Sequence, residues 1–101
     1  MFKKIIRKKI DNIDDLYFNF LVDTTELNIN LNNILDSSIA EINSLRNRIS
    51  YNINKILIEY DELELLMTTD EFKEIILDSE DEYVISTVKE EVLEFLKKYK
   101  R

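Results

Sequence analysis

The groups in this chain able to move a proton, hold a cation or meet an opposite charge are carboxylates, amines, phenols and hydroxyls, because it has neither histidine nor cysteine. Without imidazole no side chain has an ordinary pKa suited to proton transfer near neutrality, and without thiolate there is no sulfur nucleophile or soft-metal ligand. Histidine-based triads and zinc sites are therefore excluded within this chain. Glycine is absent too, which removes Gly-rich phosphate loops and the calcium loop that turns on a central glycine. Paired carboxylates could still do acid–base work or hold magnesium, but only in a cleft that tunes them. The expectation is a protein that is not an enzyme and uses no cofactor or metal.

The carboxylates are concentrated. Glu59, Asp61, Glu62 and Glu64 are followed by Asp70, Glu71, Glu74, Asp78, Glu80, Asp81 and Glu82. Such a run could imitate the spaced phosphates of nucleic acid and occupy a basic groove on another protein, or hold a divalent cation. The plain alternative is a solvated helix face with carboxylates favoured at helix starts.

The cations lie at the two ends. Lys3, Lys4, Arg7, Lys8 and Lys9 precede every acid, and Lys97, Lys98, Lys100 and Arg101 follow every acid. Between them 21 acids meet five bases (Arg46, Arg48, Lys55, Lys73 and Lys89), so the body carries −16 within an overall charge of −7. Such a body repels nucleic-acid phosphate, and direct nucleic-acid binding is not expected. On a helical wheel Phe2, Ile5, Ile6 and Ile10 share one side, with the basic anchor Lys3, Lys4, Arg7 and Lys8 opposite. Residues 1–10 thus form the basic amphipathic start of a first helix, suited to a membrane surface or to pairing with the acidic body.

The elements that must position these charges follow from composition and period. The chain has 101 residues, 45% hydrophobic and 35% charged, with no glycine and no proline. Average usage would supply about a dozen of those two. A chain without them makes few tight turns, so long helices with short polar connections are expected, forming a single domain over 1–101. No apolar run exceeds three residues, which offers neither a signal peptide nor a membrane span; a cytoplasmic location is the default.

The first helix is expected over about Phe2 to Val22, where Phe2, Ile6, Ile10, Ile13, Leu16/Tyr17 and Phe20/Leu21 keep a three–four spacing. The cluster Leu16, Tyr17, Phe18, Phe20, Leu21 and Val22 is wider than one stripe and predicts a meeting point of several elements. Asp23 with Glu26 reads as a capping box opening a second helix. Its stripe is Leu31, Leu35, Ser38, Ile42, Leu45, Ile49, Ile53, Ile56, Tyr60, Leu63 and Met67, whose ten steps average 3.6 residues. That predicts one helix of about 40 residues and roughly 60 Å, or two helices broken near Tyr51–Asn54. On this stripe Ser38 is expected to bond back to its own helix, and Asn52 flanks it. Thr68 with Glu71 and Ser79 with Glu82 predict two more helix starts, the last helix presenting Val84, Ile85, Val88, Val92, Phe95, Leu96 and Tyr99.

The fold expected is an all-α bundle of three to four helices built on one long central helix. The alternative is α+β, with a short hairpin at about 27–31 and 49–54, where apolar and polar residues alternate. A helix that long outruns its neighbours. The seam Leu35, Ile42, Leu45, Ile49, Ile53, Ile56, Tyr60 and Leu63 is therefore expected to serve both the core and an antiparallel homodimer.

By elimination, the function expected is that of a small acidic protein–protein interaction module. The leading version is an inhibitor or modulator docking onto a basic, nucleic-acid-binding partner. The Ile-, Asn- and Lys-rich usage fits an AT-rich source such as a phage, virus or other mobile element. Two alternatives are a self-assembling scaffold subunit and a peripheral membrane adaptor using the basic N-terminal helix.

Overall fold

The structure is a computed structural model describing residues 2–33 and 38–99. Leu35, Lys100, Arg101 and the side chain of Tyr99, named in the sequence reading, lie outside the described residues. The chain runs as α1 (Phe2–Asn32), α2 (Ile39–Met67), a 3-10 turn (Asp70–Glu74), α3 (Ser79–Tyr83), a π turn (Val84–Val88) and α4 (Lys89–Tyr99). Among the described residues there is no strand; 27–31 and 49–54 are helical, so the bundle is all-α and the hairpin alternative falls.

α1 and α2 are antiparallel neighbours, tied near one end by Lys9 to Glu62 and near the other by Arg48 to Asp23. Tyr83, Val84 and Lys89 all keep right-handed helical dihedrals, so α3, the π turn and α4 form one unbroken rod. That rod lies parallel to α1: Arg7 meets Asp81, and Phe20 meets Phe95 edge-on with ring centroids 5.2 Å apart. The result is a bundle measuring 54 × 23 × 19 Å.

Two boundaries differ from expectation, both for physical reasons. α1 does not stop at Val22. Asp23 caps nothing; its carboxylate accepts a hydrogen bond from Asn52 Nδ2 at 3.3 Å and faces Arg48 at 3.5 Å. Continuing the helix buries Leu27 to 2% exposure and half-buries Leu31. Burying one leucine gains about 2 kcal/mol, more than the roughly 1 kcal/mol of a cap. The 40-residue helix is also not formed. α1 ends at Asn32 and α2 begins at Ile39, with no break at 51–54. Ser38 is not a stripe residue bonding back to its helix: it has extended dihedrals and its hydroxyl accepts from Glu41 N–H at 3.1 Å, making it the N-cap of α2.

The later cap signals are displaced by a residue. Thr68 closes α2, its hydroxyl donating to Leu65 O at 2.7 Å, and Thr69 precedes the 3-10 turn without a side-chain cap bond. The capping box before α3 joins Asp78 and Asp81 rather than Ser79 and Glu82.

The core is the inward stripe of each rod. Ile6, Ile10, Ile13, Tyr17, Phe20 and Leu27 of α1 meet Ile42, Leu45, Ile49, Ile53, Ile56, Tyr60 and Leu63 of α2 and Val84, Val88 and Val92. In an α-helix, residues four apart drift round the axis; the wider π turn holds more residues and keeps Val84, Val88 and Val92 more nearly in line. The Tyr60 hydroxyl donates to Val84 O and sits 3.3 Å from Ile85 O, so the loosened carbonyls of the π turn have a side-chain donor.

Candidate interaction surfaces

The eleven carboxylates singled out in the sequence do not form one face. Glu59 and Glu62 both turn toward Lys9 of α1, Glu59 at 3.2 Å. Glu64 turns the other way, to Lys89 at 2.5 Å, where the ammonium also lies 5.9 Å from the Tyr60 ring centroid. Asp70 faces Lys73 at 3.4 Å on the exposed turn. Asp81 is buried; it meets Arg7 at 2.6 Å and completes the capping box with Asp78. Asp61, Glu71, Glu74, Glu80 and Glu82 remain, exposed and without an ion-pair partner among the described residues.

The basic start of α1 divides in the same way. Arg7 and Lys9 pair with the acidic body inside the monomer, as the intramolecular alternative expected. Lys3, Lys4 and Lys8 are exposed and unpaired among the described residues, with half-exposed Ile5 beside them. The hydrogen bond that Lys9 donates to Glu62 is the main cause holding its pKa above the ordinary 10.5; partial burial opposes it, and Glu59 adds to it.

The described part of the seam serves the core. Ile42, Leu45, Ile49, Ile53, Ile56, Tyr60 and Leu63 are all buried within the single chain. These residues pack in the core of one chain with side chains of α1 and of the rod.

The buried ionisable side chains are engaged structurally. Burial pushes the Tyr60 phenol up to about 12, partly countered by a hydrogen bond from the Lys89 backbone and reinforced by the nearby Glu64 carboxylate. Asp81 is held by Arg7 and Asp78. No group of three or more Asp or Glu among the described residues is placed to hold a metal ion, and no described helix is long and apolar enough to cross a membrane.

Two features escaped the sequence reading. One is an open groove of about 720 Å³ between α1 and α2, lined by Asn19, Asp23, Asn43, Asn47, Arg48 and Asn52 among others. Asn52 is buried there on Asp23, a bond that fixes how α1 and α2 sit against each other. The other is apolar exposure. Phe18, Leu21 and Val22, expected where several elements meet, stand on the outside of α1 at 65%, 41% and 48% exposure. The cluster supplies two opposite faces, and only the face bearing Tyr17 and Phe20 is covered. Helical spacing carries that signal: Phe18, Val22 and Ile29 fall on the side of the wheel away from Ile13, Tyr17 and Leu27.

Compared with family models, with curated proteins and with solved structures, the chain has no match in any of the three.

Proposed function

We propose that this chain is a small non-catalytic docking protein that inhibits or modulates a basic, nucleic-acid-binding protein, in the cytoplasm, as products of phages and other mobile elements do. The observation that carries this reading is the set of unpaired carboxylates Asp61, Glu71, Glu74, Glu80 and Glu82. They follow one another from the end of α2 through the 3-10 turn into α3. Favourable helix-dipole placement accounts for Glu80 and Glu82, and for Glu71 in the first turn of the 3-10 segment. It leaves Asp61 and Glu74 unaccounted for. Meanwhile Arg7, Lys9, Lys73 and Lys89 are occupied by other carboxylates. The residual charge is therefore directed outward, where a cationic surface would meet it, and the long-range field of the acidic body would speed that encounter.

Capture of partners from a nuclease-treated lysate on the tagged chain, eluted in salt steps, tests this. A stoichiometric basic protein released by salt supports the reading, because exposed ion pairs weaken with ionic strength. Recovery of the chain alone, resistant to salt, overturns it in favour of a self-assembling subunit. The outward apolar side chains of α1 favour that second reading.

A further inference from the structure

α1 carries a second apolar stripe on the side away from the core. Phe18, Val22 and Ile29 are 65%, 48% and 54% exposed, and Thr25 stands between the last two. The spacing 18–22–25–29 is four, three, four, which places the residues in one row along the helix. Three large apolar side chains at this exposure aligned on one helix face, with only the Thr25 hydroxyl and methyl between them, form an apolar strip rather than singly scattered hydrophobes.

We propose that this row is the contact face of an antiparallel homodimer in which α1 lies on α1 of a second copy, the two-fold axis passing midway between Val22 and Thr25. The spacing reads the same in both directions. An antiparallel copy therefore sets Phe18 beside the partner's Ile29 and Val22 beside the partner's Thr25, with the large residues at the ends and the smaller ones at the axis. The face is self-complementary, as a two-fold contact requires.

Charge selects both the orientation and the occupant. Asp14 and Asp15 are exposed just before the row, whereas Asn32 and Asn33 are exposed just after it. The antiparallel pairing sets these acids opposite amides. A parallel pairing would set Asp14 and Asp15 against their own copies, a like-charge clash. The acids nearest the middle of the row, Asp23 and Glu26, are already engaged by Arg48 at 3.5 Å each. Arg48 thus offsets one of these two flanking charges, and the row itself, Phe18, Val22, Thr25 and Ile29, carries none, so it fits an apolar, uncharged counterpart better than a cationic protein. This face is separate from the carboxylates of 61–82, so dimerisation and partner capture stand or fall independently.

Because the chain has no cysteine, the geometry can be read by disulfide trapping. Phe18→Cys and Ile29→Cys chains are mixed in equal amounts, oxidised mildly and weighed intact. The expected product is the mixed 18–29 disulfide, well above its statistical share. In the proposed dimer identical positions lie eleven residues apart along the row, about 16 Å, too far for a disulfide. A dominant 18–18 product, a statistical mixture, or no disulfide at all overturns the proposal. Sedimentation equilibrium of the unmodified chain is expected to show a monomer–dimer equilibrium in the micromolar range. Val22→Lys is expected to weaken that equilibrium at least roughly tenfold while leaving the helical circular dichroism unchanged, since Val22 is outside the core. A mass that stays monomeric from low micromolar to near-millimolar concentration would equally overturn it.

Discussion

Tyr60 and Asp81 show how single residues hold this bundle together. The Tyr60 ring is buried in the core while its hydroxyl supplies the donor for the π turn. Tyr60→Phe keeps the ring and removes the donor, and is expected to cost about 1–2 kcal/mol in urea unfolding. The same residue sets an alkaline limit. Its phenol titrates near 12 in the folded chain against an ordinary 10.0. Below pH 10 the proton is bound in both folded and unfolded chains, and stability is at its full value. Between pH 10 and 12 the unfolded chain loses its proton first, so stability falls by up to about 1.4 kcal/mol per pH unit. Lys9, raised by its carboxylates, acts with the same sign: its ion pairs stabilise the fold below the ordinary lysine value and are lost as pH rises past it. Unfolding measured from pH 8 to 12 is expected to be flat and then to fall, with a shallower fall in Tyr60→Phe. Asp81→Asn removes the charge that pairs with Arg7 and weakens the capping box. Because Arg7 is half exposed and rehydrates, the expected loss is about 1–2 kcal/mol rather than that of a fully buried pair.

At the scale of elements, the boundaries follow competition between local caps and distant contacts. Ser38→Ala is expected to destabilise the chain by about 1 kcal/mol, the ordinary value of an N-cap, read from the shift in urea midpoint at unchanged slope. The start of α2 was present in the sequence as Ser38-x-x-Glu41, yet Ser38 also continued the three–four apolar stripe, and periodicity masked the cap. Asp23-x-x-Glu26 misled in the opposite direction. It matched a capping box, but Asn52 and Arg48 on α2 engage Asp23 and Arg48 also engages Glu26, and nothing in a local window reports contacts 22 to 29 residues away. The starts near Thr68 and Ser79 were legible to within a residue; at the second, the tertiary contact of Asp81 with Arg7 leaves the capping box in place rather than competing with it. The inward stripes were also legible, since Ile6 to Leu27 and Ile42 to Leu63 keep a helical period that burial enforces. The π turn was not, because Val84, Val88 and Val92 at four-residue spacing suit an ordinary helix equally well.

At the scale of the whole molecule, charge organises the exterior more than the core does. The sequence displays eleven acids as one run, but the bundle turns Glu59 and Glu62 to one flank and Glu64 to the other, and takes Asp81 inside. Which acids remain free depends on which lysines and arginines the antiparallel pairing brings near, so the residual surface appears only after folding. The apolar exterior of α1 behaves similarly: Phe18 and Val22 are indistinguishable by type from Tyr17 and Phe20, and the packing alone decides which face stays open. The resulting molecule presents a self-complementary apolar row on α1 and, from Asp61 near the end of α2 onward, a separate set of carboxylates without ion-pair partners among the described residues.

The claim that those carboxylates do the docking is tested most directly by parallel capture from one nuclease-treated lysate. The bait is either the unmodified chain or a chain carrying Asp61→Asn, Glu71→Gln, Glu74→Gln, Glu80→Gln and Glu82→Gln. These positions are exposed, so the variant is expected to keep its helical spectrum. The account predicts that a basic partner bound stoichiometrically to the unmodified chain is lost from the neutralised one. A partner retained equally by both chains, or no partner on either, would contradict it.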